Sequence, residues 1–256
     1  MPYTFDLTGK KAIITGGAGD IGFAIAREMH LQGAQIALVD ISSNMEPKCA
    51  ELTADGGAPV HGITANLRDR ESLRNAFEAC MEAMQGVDIL VNAAGICRRG
   101  ASSEEFSEKD WDDVLEINLT ATFLFSQLAG REMLKNGYGR IINFASMNSF
   151  FGGLQIPSYA ASKGAVSLIT KSLSNEWACK GVTVNALAPG YIETQLNPFY
   201  RTPAGAEQNK IIVSRIPAGR WGKPEDIVGP ALFFASSASE YVTGVTLPVD
   251  GGYLGR

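Results

Sequence analysis

Three polar residues in the middle of the chain have the types and spacing that proton transfer needs. They are Ser146 in "NFASM", and Tyr159 and Lys163 in "SYAASKGA". Residues four apart share a helix face, so the Lys163 ammonium is expected beneath the Tyr159 phenol. A nearby cation favours tyrosinate and draws a phenol down from its reference near ~10, which suits general acid/base work at neutral pH. Ser146, from a different strand end, could hydrogen-bond a reacting carbonyl oxygen and hold it against Tyr159.

A second group lies near the start of the chain, where "TGGAGDIG", residues 15–22, follows the apolar run "KAIIT" and opens a helical pattern. A strand, a glycine-rich turn and a helix N-terminus aim N–H groups and the positive end of the helix dipole at a phosphate. Two registers compete. As G-x-G-x-x-G the loop uses Gly17, Gly19 and Gly22; as T-G-x-x-x-G-x-G it uses Thr15, Gly16 and Gly22 and puts Asp20 where a glycine belongs. The next run, "QIALVD", ends in Asp40, 18 residues past Gly22, about where a dinucleotide site keeps the acid that accepts ribose hydroxyls. That carboxylate repels a 2′-phosphate, and "ISSN" after it brings no Arg or Lys, so the expected cofactor is NAD rather than NADP. The alternative role for Asp40 is to cap a helix beginning near Ser42 or Ser43.

Composition narrows the partners. The 256 residues carry 22 Lys and Arg against 27 Asp and Glu, a net charge of −5. No long basic run marks a nucleic-acid or anionic-membrane surface, so small molecules or further copies of the chain are the expected partners. Cys49, Cys80, Cys97 and Cys179 form no C-x-x-C pair, and His30 and His61 are the only histidines. No metal site or disulfide framework is expected. The N-terminal "MPYTFDLTGKKAIIT" does not read as a secretory leader and no apolar stretch reaches ~18–20 residues, so the expected location is cytoplasmic.

These candidate groups need a scaffold, and the pattern supplies one. Short runs rich in β-branched and aliphatic residues ("KAIIT", "QIALVD", "PVHGI", "VDILVN", "RIINFAS", "VTVNALA", "VTLPVD") alternate with stretches of helical spacing such as "RESLRNAFEACMEAMQ". That alternation predicts one α/β domain over residues 1–256, with a parallel sheet of about seven strands covered by helices on both faces. The Pro/Gly-punctuated segment from Pro189 breaks the rhythm. Its length and aromatic content predict a substrate lid at about 190–222, the alternative being a surface excursion.

In these motifs the sequence resembles the short-chain dehydrogenase/reductase family along essentially its whole length. The Thr15–Gly22 loop, "NAAG" at Asn92–Gly95, "EINLTATF" with Asn118, Ser146, Tyr159-x-x-x-Lys163, "PGYIET" at Pro189–Thr194 and the terminal "VDGG" stand in family order. The resemblance implies a doubly wound Rossmann-type domain that moves hydride between nicotinamide and a carbonyl or alcohol carbon. It implies Tyr159 as acid/base, Lys163 tuning it and binding the nicotinamide ribose, Ser146 orienting substrate, and Asn118 supporting a water-mediated proton relay. Cofactor contacts are implied from Thr15, Gly16, Asp20, Ile21, Gly22, Asp40, Asn66, Leu67, Asn92, Ala93, Gly95, Tyr159, Lys163, Pro189, Gly190, Ile192 and Thr194. Family members commonly assemble as tetramers, so a homotetramer is expected. Two positions depart from the family pattern. Ala93 replaces a second Asn that usually braces the strand ends, and Asn66 replaces an Asp that often touches the adenine amino group. The family register places Asp20 beside the pyrophosphate, where a carboxylate at ~4 Å would cost roughly 4 kcal/mol at an effective dielectric near ~20. Asp20 is therefore expected to turn away and cap free N–H groups of the first helix, with Gly19 supplying the backbone freedom of the missing glycine.

Longer strings, "AGICRRG", "FSEKDWDDV", "ASMNSFFGG", "NEWA" and "IPAGRWGKPED", resemble sugar-acid and polyol dehydrogenases of the gluconate and keto-deoxygluconate type within that family. Arg98 and Arg99 follow a strand end that should border the site, and either guanidinium could bind a sugar-acid carboxylate bidentately. Ordinary pairing with neighbouring acids is the alternative. Asn148, Tyr191 and Gln195 are further pocket candidates, and Trp221 could cover a sugar face or serve packing. Other readings of the chain are a neutral polyol or ketose dehydrogenase, a 3-oxoacyl thioester reductase, and a non-catalytic NAD-binding sensor or scaffold.

Overall fold

Each of the seven β-rich runs becomes a strand in the computed structural model, which describes residues 5–42, 45–54, 56–100, 102–196 and 198–256. The strands β1 (Lys11–Thr15), β2 (Gln35–Asp40), β3 (Val60–Thr64), β4 (Ile89–Asn92), β5 (Gly139–Phe144), β6 (Val182–Pro189) and β7 (Thr246–Val249) form one sheet in the order β3-β2-β1-β4-β5-β6-β7. Every pairing is parallel. This is the doubly wound α/β sheet expected from the sequence. The order reverses between β1 and β4, and in such sheets the crevice outside the carboxyl ends at that point is where ligands bind.

The helices are α1 (Asp20–Leu31), α2 (Met45–Ala54), α3 (Arg70–Met84), α4 (Glu108–Leu115), α5 (Ala121–Asn136), α6 (Pro157–Trp177), α7 (Ala206–Ser214) and α8 (Pro224–Ala235). Successive strand side chains point to opposite faces, so each strand feeds two cores. Ile14, Ile36, Leu38, Ile89 and Val91 pack with Ile25 and Met29 of α1 and Ile227, Leu232 and Phe234 of α8. Ile13, Val39, Leu90 and Ile141 face the other side, against Leu73 and Phe77 of α3, Phe125 of α5 and Trp177 of α6. Burial on both faces explains why the strands lack polar alternation. Among the described residues no helix is long and apolar enough to cross a membrane.

Sterics decide the register of the glycine loop. Gly16 has φ +67°, and a Cβ there would lie 2.7 Å from the Ala94 nitrogen. A Cβ on Gly22 would collide with the Gly16 carbonyl oxygen, so first-turn helix and loop touch backbone to backbone. Gly19 adopts ordinary extended backbone, φ −74° and ψ 162°, and a Cβ there would meet nothing closer than 3.3 Å. A Cβ on Gly17 would also crowd Ile14 O and Leu38 at 2.9 Å, so what favours the Thr15, Gly16, Gly22 register is that it uses Gly16, which carries the left-handed turn, while the other relies on Gly19, where sterics demand no glycine. The expectation that Gly19 supplies exceptional backbone freedom is corrected: extended backbone is open to any residue, and Gly16 carries the left-handed turn.

Gly22→Ala forces overpacking of about 1–3 kcal/mol and is expected to lower Tm by roughly 4–10 °C. Gly19→Ala should shift Tm by no more than about 3 °C. Thermal unfolding of the two variants checks this, and equal shifts would contradict the register.

Candidate active site

Three cavities adjoin along the carboxyl ends of the strands at the switch point. A cleft of about 470 Å³ is lined by Gly16, Gly19, Asp40, Asn66, Leu67, Ala93, Gly95 and Arg98. It shares Ala93 and Gly95 with a trench of about 120 Å³, lined by Ile21, Ser146, Tyr159, Lys163, Pro189, Gly190, Ile192 and Thr194. The trench shares Ser146, Tyr159 and Gly190 with an outer pocket of about 320 Å³ that adds Arg99, Asn148, Tyr191 and Arg215. Residues far apart in the sequence thus line one continuous depression. Thr15, Gly22 and Asn92 reach the same place but stand behind its wall, buried.

Tyr159 and Lys163 lie one turn apart on α6, with the Lys163 Nζ 5.7 Å from the Tyr159 ring centroid. The ammonium is buried and donates to the Phe144 carbonyl at the end of β5. Burial lowers Lys163 to about 8. The Tyr159 phenol is pushed up to about 12 by burial, against the pull of its hydrogen bond with Ser146. The expected lowering of this phenol is therefore reversed in the structure: desolvation outweighs the distant cation, whose hydrogen bond goes to a backbone carbonyl. In this arrangement the phenol is held as a proton donor. Ser146 stands two residues past the end of β5, and its hydroxyl accepts from the Asn148 N–H at 3.2 Å. Ser149 ties this turn to α6, accepting from Ser146 N at 3.3 Å and donating to the Lys163 carbonyl at 2.6 Å.

Asn118 sits in a π-helical turn (Glu116–Thr120) between α4 and α5 and is fully buried. Its Oδ1 accepts from Ile96 N at 2.8 Å, and its Nδ2 donates to Ile96 O at 2.9 Å and Ser162 Oγ at 3.1 Å. Both amide hydrogens are thus committed, and the side chain fixes the loop after β4 against α6. The brace that Ala93 cannot supply is built elsewhere. Asn92 Nδ2 donates to Asn143 Oδ1 at 2.9 Å and Ser126 Oγ at 3.0 Å, and Asn143 Nδ2 donates to Thr170 Oγ1 at 2.9 Å. Ser149, Asn143, Ser126 and Thr170 had no sequence signal beyond being polar within apolar stretches.

Two carboxylates border the glycine loop, and both accept backbone N–H groups. Asp40 accepts from Ala18 N at 3.0 Å and Ser42 N at 2.9 Å. α2 begins at Met45, and Ser43 lies outside the described residues. Asp20 does not cap α1, which has no side-chain cap; its Oδ2 accepts from Gln195 N at 2.8 Å. The expectation of a cap is corrected because the carboxylate, pointing off the first turn, meets the 194–196 segment crossing above it. Gln195 contributes this amide and lines none of the three cavities.

The adjacent arginines part company. Arg98 lines the first cleft and faces Asp110 at 3.6 Å, so it is not a group of the outer pocket. Arg99 lines the outer pocket, with no ion pair among the described residues. Asn148 and Tyr191 line it too, whereas Trp221 packs in a satellite core with Met147, Ile212, Ile216 and Tyr253. The Trp221 Nε1 donates to Asn209 Oδ1 at 2.8 Å, which assigns this indole to packing.

The residues fit a dinucleotide. The uncapped N-terminus of α1 offers free N–H groups beside the glycine loop. At Gly95 a Cβ would press to 3.3 Å from Asn118 Oδ1 and 3.6 Å from Lys163 Nζ, so the open floor between cleft and trench depends on a missing side chain. A hydrogen bond to a charged acceptor is worth about 1.5–3 kcal/mol. Asp20→Ala is therefore expected to speed hydrogen exchange at the Gln195 amide roughly tenfold or more, with no change at the Gly190 amide. An unchanged Gln195 rate would show that Asp20 does not hold this segment.

Comparison with known proteins agrees with the geometry. The family model described as enoyl-(acyl carrier protein) reductase matches residues 16–254. The chain is 46% identical over 255 residues to 2-dehydro-3-deoxy-D-gluconate 5-dehydrogenase of Dickeya dadantii, covering 99% of this chain and 98% of that one. A structure described as an NAD(P)-dependent gluconate 5-dehydrogenase from Beutenbergia cavernae, with NADP bound at low occupancy, superposes with a TM-score of 0.93 at 45% identity, covering 98% and 99% of the two chains. A gluconate 5-dehydrogenase from Burkholderia cenocepacia in complex with NADP and tartrate gives a TM-score of 0.89 at 37% identity, covering 98% of each. The chain belongs to the short-chain dehydrogenase/reductase family and is an NAD(P)-dependent oxidoreductase of CH–OH groups.

Proposed function

We propose that the protein is an NAD-preferring dehydrogenase of a sugar acid of the gluconate or keto-deoxygluconate type. The observation that carries this reading is Arg99, a guanidinium without a carboxylate partner among the described residues, lining the same pocket as Ser146 and Tyr159. A guanidinium matches a carboxylate bidentately, and in a protein of net charge −5 an anionic substrate needs such a local cation. The relatives named for gluconate and deoxygluconate chemistry support the same class.

The dinucleotide would lie along the cleft and trench, held by the glycine loop, Asp40, Asn66, Leu67, Ala93, Gly95 and the Pro189–Thr194 segment, and it supplies or takes up the hydride. In carbonyl reduction Ser146 holds the substrate oxygen and Tyr159 donates its phenolic proton to it. In alcohol oxidation the phenolate takes that proton back. We assign Lys163, whose Nζ lies 5.7 Å from the Tyr159 ring centroid, to the nicotinamide ribose and to long-range stabilisation of the phenolate that forms in oxidation. With both its amide hydrogens engaged, Asn118 would serve a proton relay only through a remaining lone pair on Oδ1.

Asp40 supports NAD. Its oxygens keep acceptor capacity for ribose hydroxyls, and it would repel a 2′-phosphate. The nearby arginines are engaged, Arg68 with Asp113 and Arg98 with Asp110. The segment 190–222 brings Tyr191, Leu196 and Arg215 to the pocket, which supports its reading as a lid. The family resemblance supports a homotetramer, and the exposed Phe123 of α5 and Leu168 of α6 are candidate contact residues for it.

Steady-state kinetics on 5-keto-D-gluconate and uncharged D-fructose, with NADH and NADPH, test the reading. The acid and NADH are expected to be preferred by on the order of tenfold or more. Arg99→Ala should raise KM for the acid about 10–100-fold while changing the fructose KM far less. Preference of the unaltered enzyme for fructose, or equal effects of Arg99→Ala on both, would overturn it.

A further inference from the structure

The outer pocket holds a second cation that no motif marks. Arg215 follows α7, at the far end of the segment that begins at Tyr191, and lines the pocket opposite in sequence to Arg99. Among the described residues no Asp or Glu lines this pocket. Arginines of the neighbouring cavities hold a carboxylate of their own: Arg68 with Asp113, Arg98 with Asp110, Arg220 with Asp226. Neither Arg99 nor Arg215 does so among the described residues.

Both arginines are solvent-exposed at the rim of one concave pocket, so they bring like charge to a site where an anion is favoured. Arg215 is also restrained, its guanidinium carbon lying 5.2 Å from the centroid of the Tyr253 ring. The Tyr253 ring in turn packs 5.7 Å from Tyr191 and 6.0 Å from Phe151, both lining the pocket. An arginine seated on an aromatic face loses less freedom when it binds a ligand, so this contact prepares Arg215 to act. Burial raises the half-buried Tyr191 phenol, and the charges of both Arg99 and Arg215 oppose that rise, so both guanidinium groups lie within electrostatic reach of this one pocket side chain.

We propose that Arg99 and Arg215 form a two-armed clamp for the substrate carboxylate, with Arg215 a specificity-determining residue seated on Tyr253. The inference rests on the sugar-acid reading above. One arm comes from the loop after β4 and the other from the segment after α7, so anion binding also joins two elements that are separate in the sequence. Distance from the clamp to Ser146 and Tyr159 then selects which carbon of the acid is presented to the phenol.

The test is kinetic, on the full-length enzyme with saturating NADH, for Arg215→Gln, Arg215→Lys, Arg99→Gln and the double variant, with Tm measured for each. Arg215→Gln is expected to raise KM for 5-keto-D-gluconate about 10–100-fold, the loss of one charge-assisted pair. Its kcat should fall by less than about threefold and its fructose KM should change far less than its KM for the acid. Arg215→Lys should recover part of the loss, because the charge remains and the planar fork does not. The double variant should lose less than the product of the two single losses, since both arms hold one carboxylate. If the unaltered enzyme prefers the acid and Arg99→Gln abolishes that preference while Arg215→Gln leaves KM unchanged, the clamp is overturned and the sugar-acid reading stands. An unaltered enzyme with no preference for the acid overturns both. A larger turnover of fructose 6-phosphate than of the sugar acid assigns the pair to phosphate and overturns the carboxylate clamp. Equal rises in KM for acid and fructose, accompanied by a fall in Tm, would reduce Arg215 to a packing role on Tyr253.

Discussion

Lys163 carries an ammonium into a floor where only 4% of the residue is exposed, and the carbonyl of Phe144 is the acceptor that holds it. A buried charge with so little solvent needs its surroundings fixed, because displacement leaves it without a hydrogen bond. The surroundings supply that rigidity from several elements. β5 must end where its last carbonyl reaches the amine, α6 must begin almost two turns before it, and the bare Gly95 leaves room on the floor that a Cβ, 3.3 Å from Asn118 Oδ1, would narrow. Ser149 closes the ring by tying the Ser146 turn to the Lys163 carbonyl. The tyrosine, lysine and serine are thus placed by backbone contacts at the carboxyl end of an interior strand, and their direct contacts with one another are few.

Around the dinucleotide cleft the same economy governs the acids. A carboxylate beside a pyrophosphate is unfavourable unless its charge is directed elsewhere. Asp20 directs it to the Gln195 amide, and Asp40 to Ala18 and Ser42. In both cases the acid joins the glycine loop to a neighbouring segment, so a residue that looks out of place in the motif becomes a connection between the loop and the wall above the trench. The cations are divided in the same way. Arg98 and Arg68 have acids of their own, whereas Arg99 and Arg215 line a pocket that has none among the described residues.

The sheet was legible in the sequence because its signal is local. Each strand is a short β-branched run and each helix a stretch of 3.6-residue periodicity, and that alternation points to parallel strands buried on both faces, with seven runs and a dinucleotide-type glycine loop favouring the open doubly wound sheet. The positions of Tyr159, Lys163 and Ser146 were legible for a similar reason, since one helical turn and one strand end suffice to place them. What the sequence hid depends on distance in the fold. The raised Tyr159 phenol follows from burial, which spacing does not report. The Asp20 to Gln195 bond joins residues 175 apart, and the Arg98 and Arg99 side chains diverge at a loop whose geometry no pattern encodes. Arg215 carries no motif signal, standing one residue before the string "IPAGRWGKPED" inside the lid segment, and acquires meaning only beside Arg99.

The account turns on where an acid substrate lies relative to the tyrosine. A crystal structure of the enzyme soaked with NAD and a keto sugar acid measures this directly. The account predicts the carboxylate against Arg99, with the carbonyl oxygen within hydrogen-bonding distance, about 3 Å, of both the Tyr159 hydroxyl and Ser146 Oγ. A sugar acid bound with its carboxylate at Tyr159, or outside the pocket lined by Arg99, would contradict it.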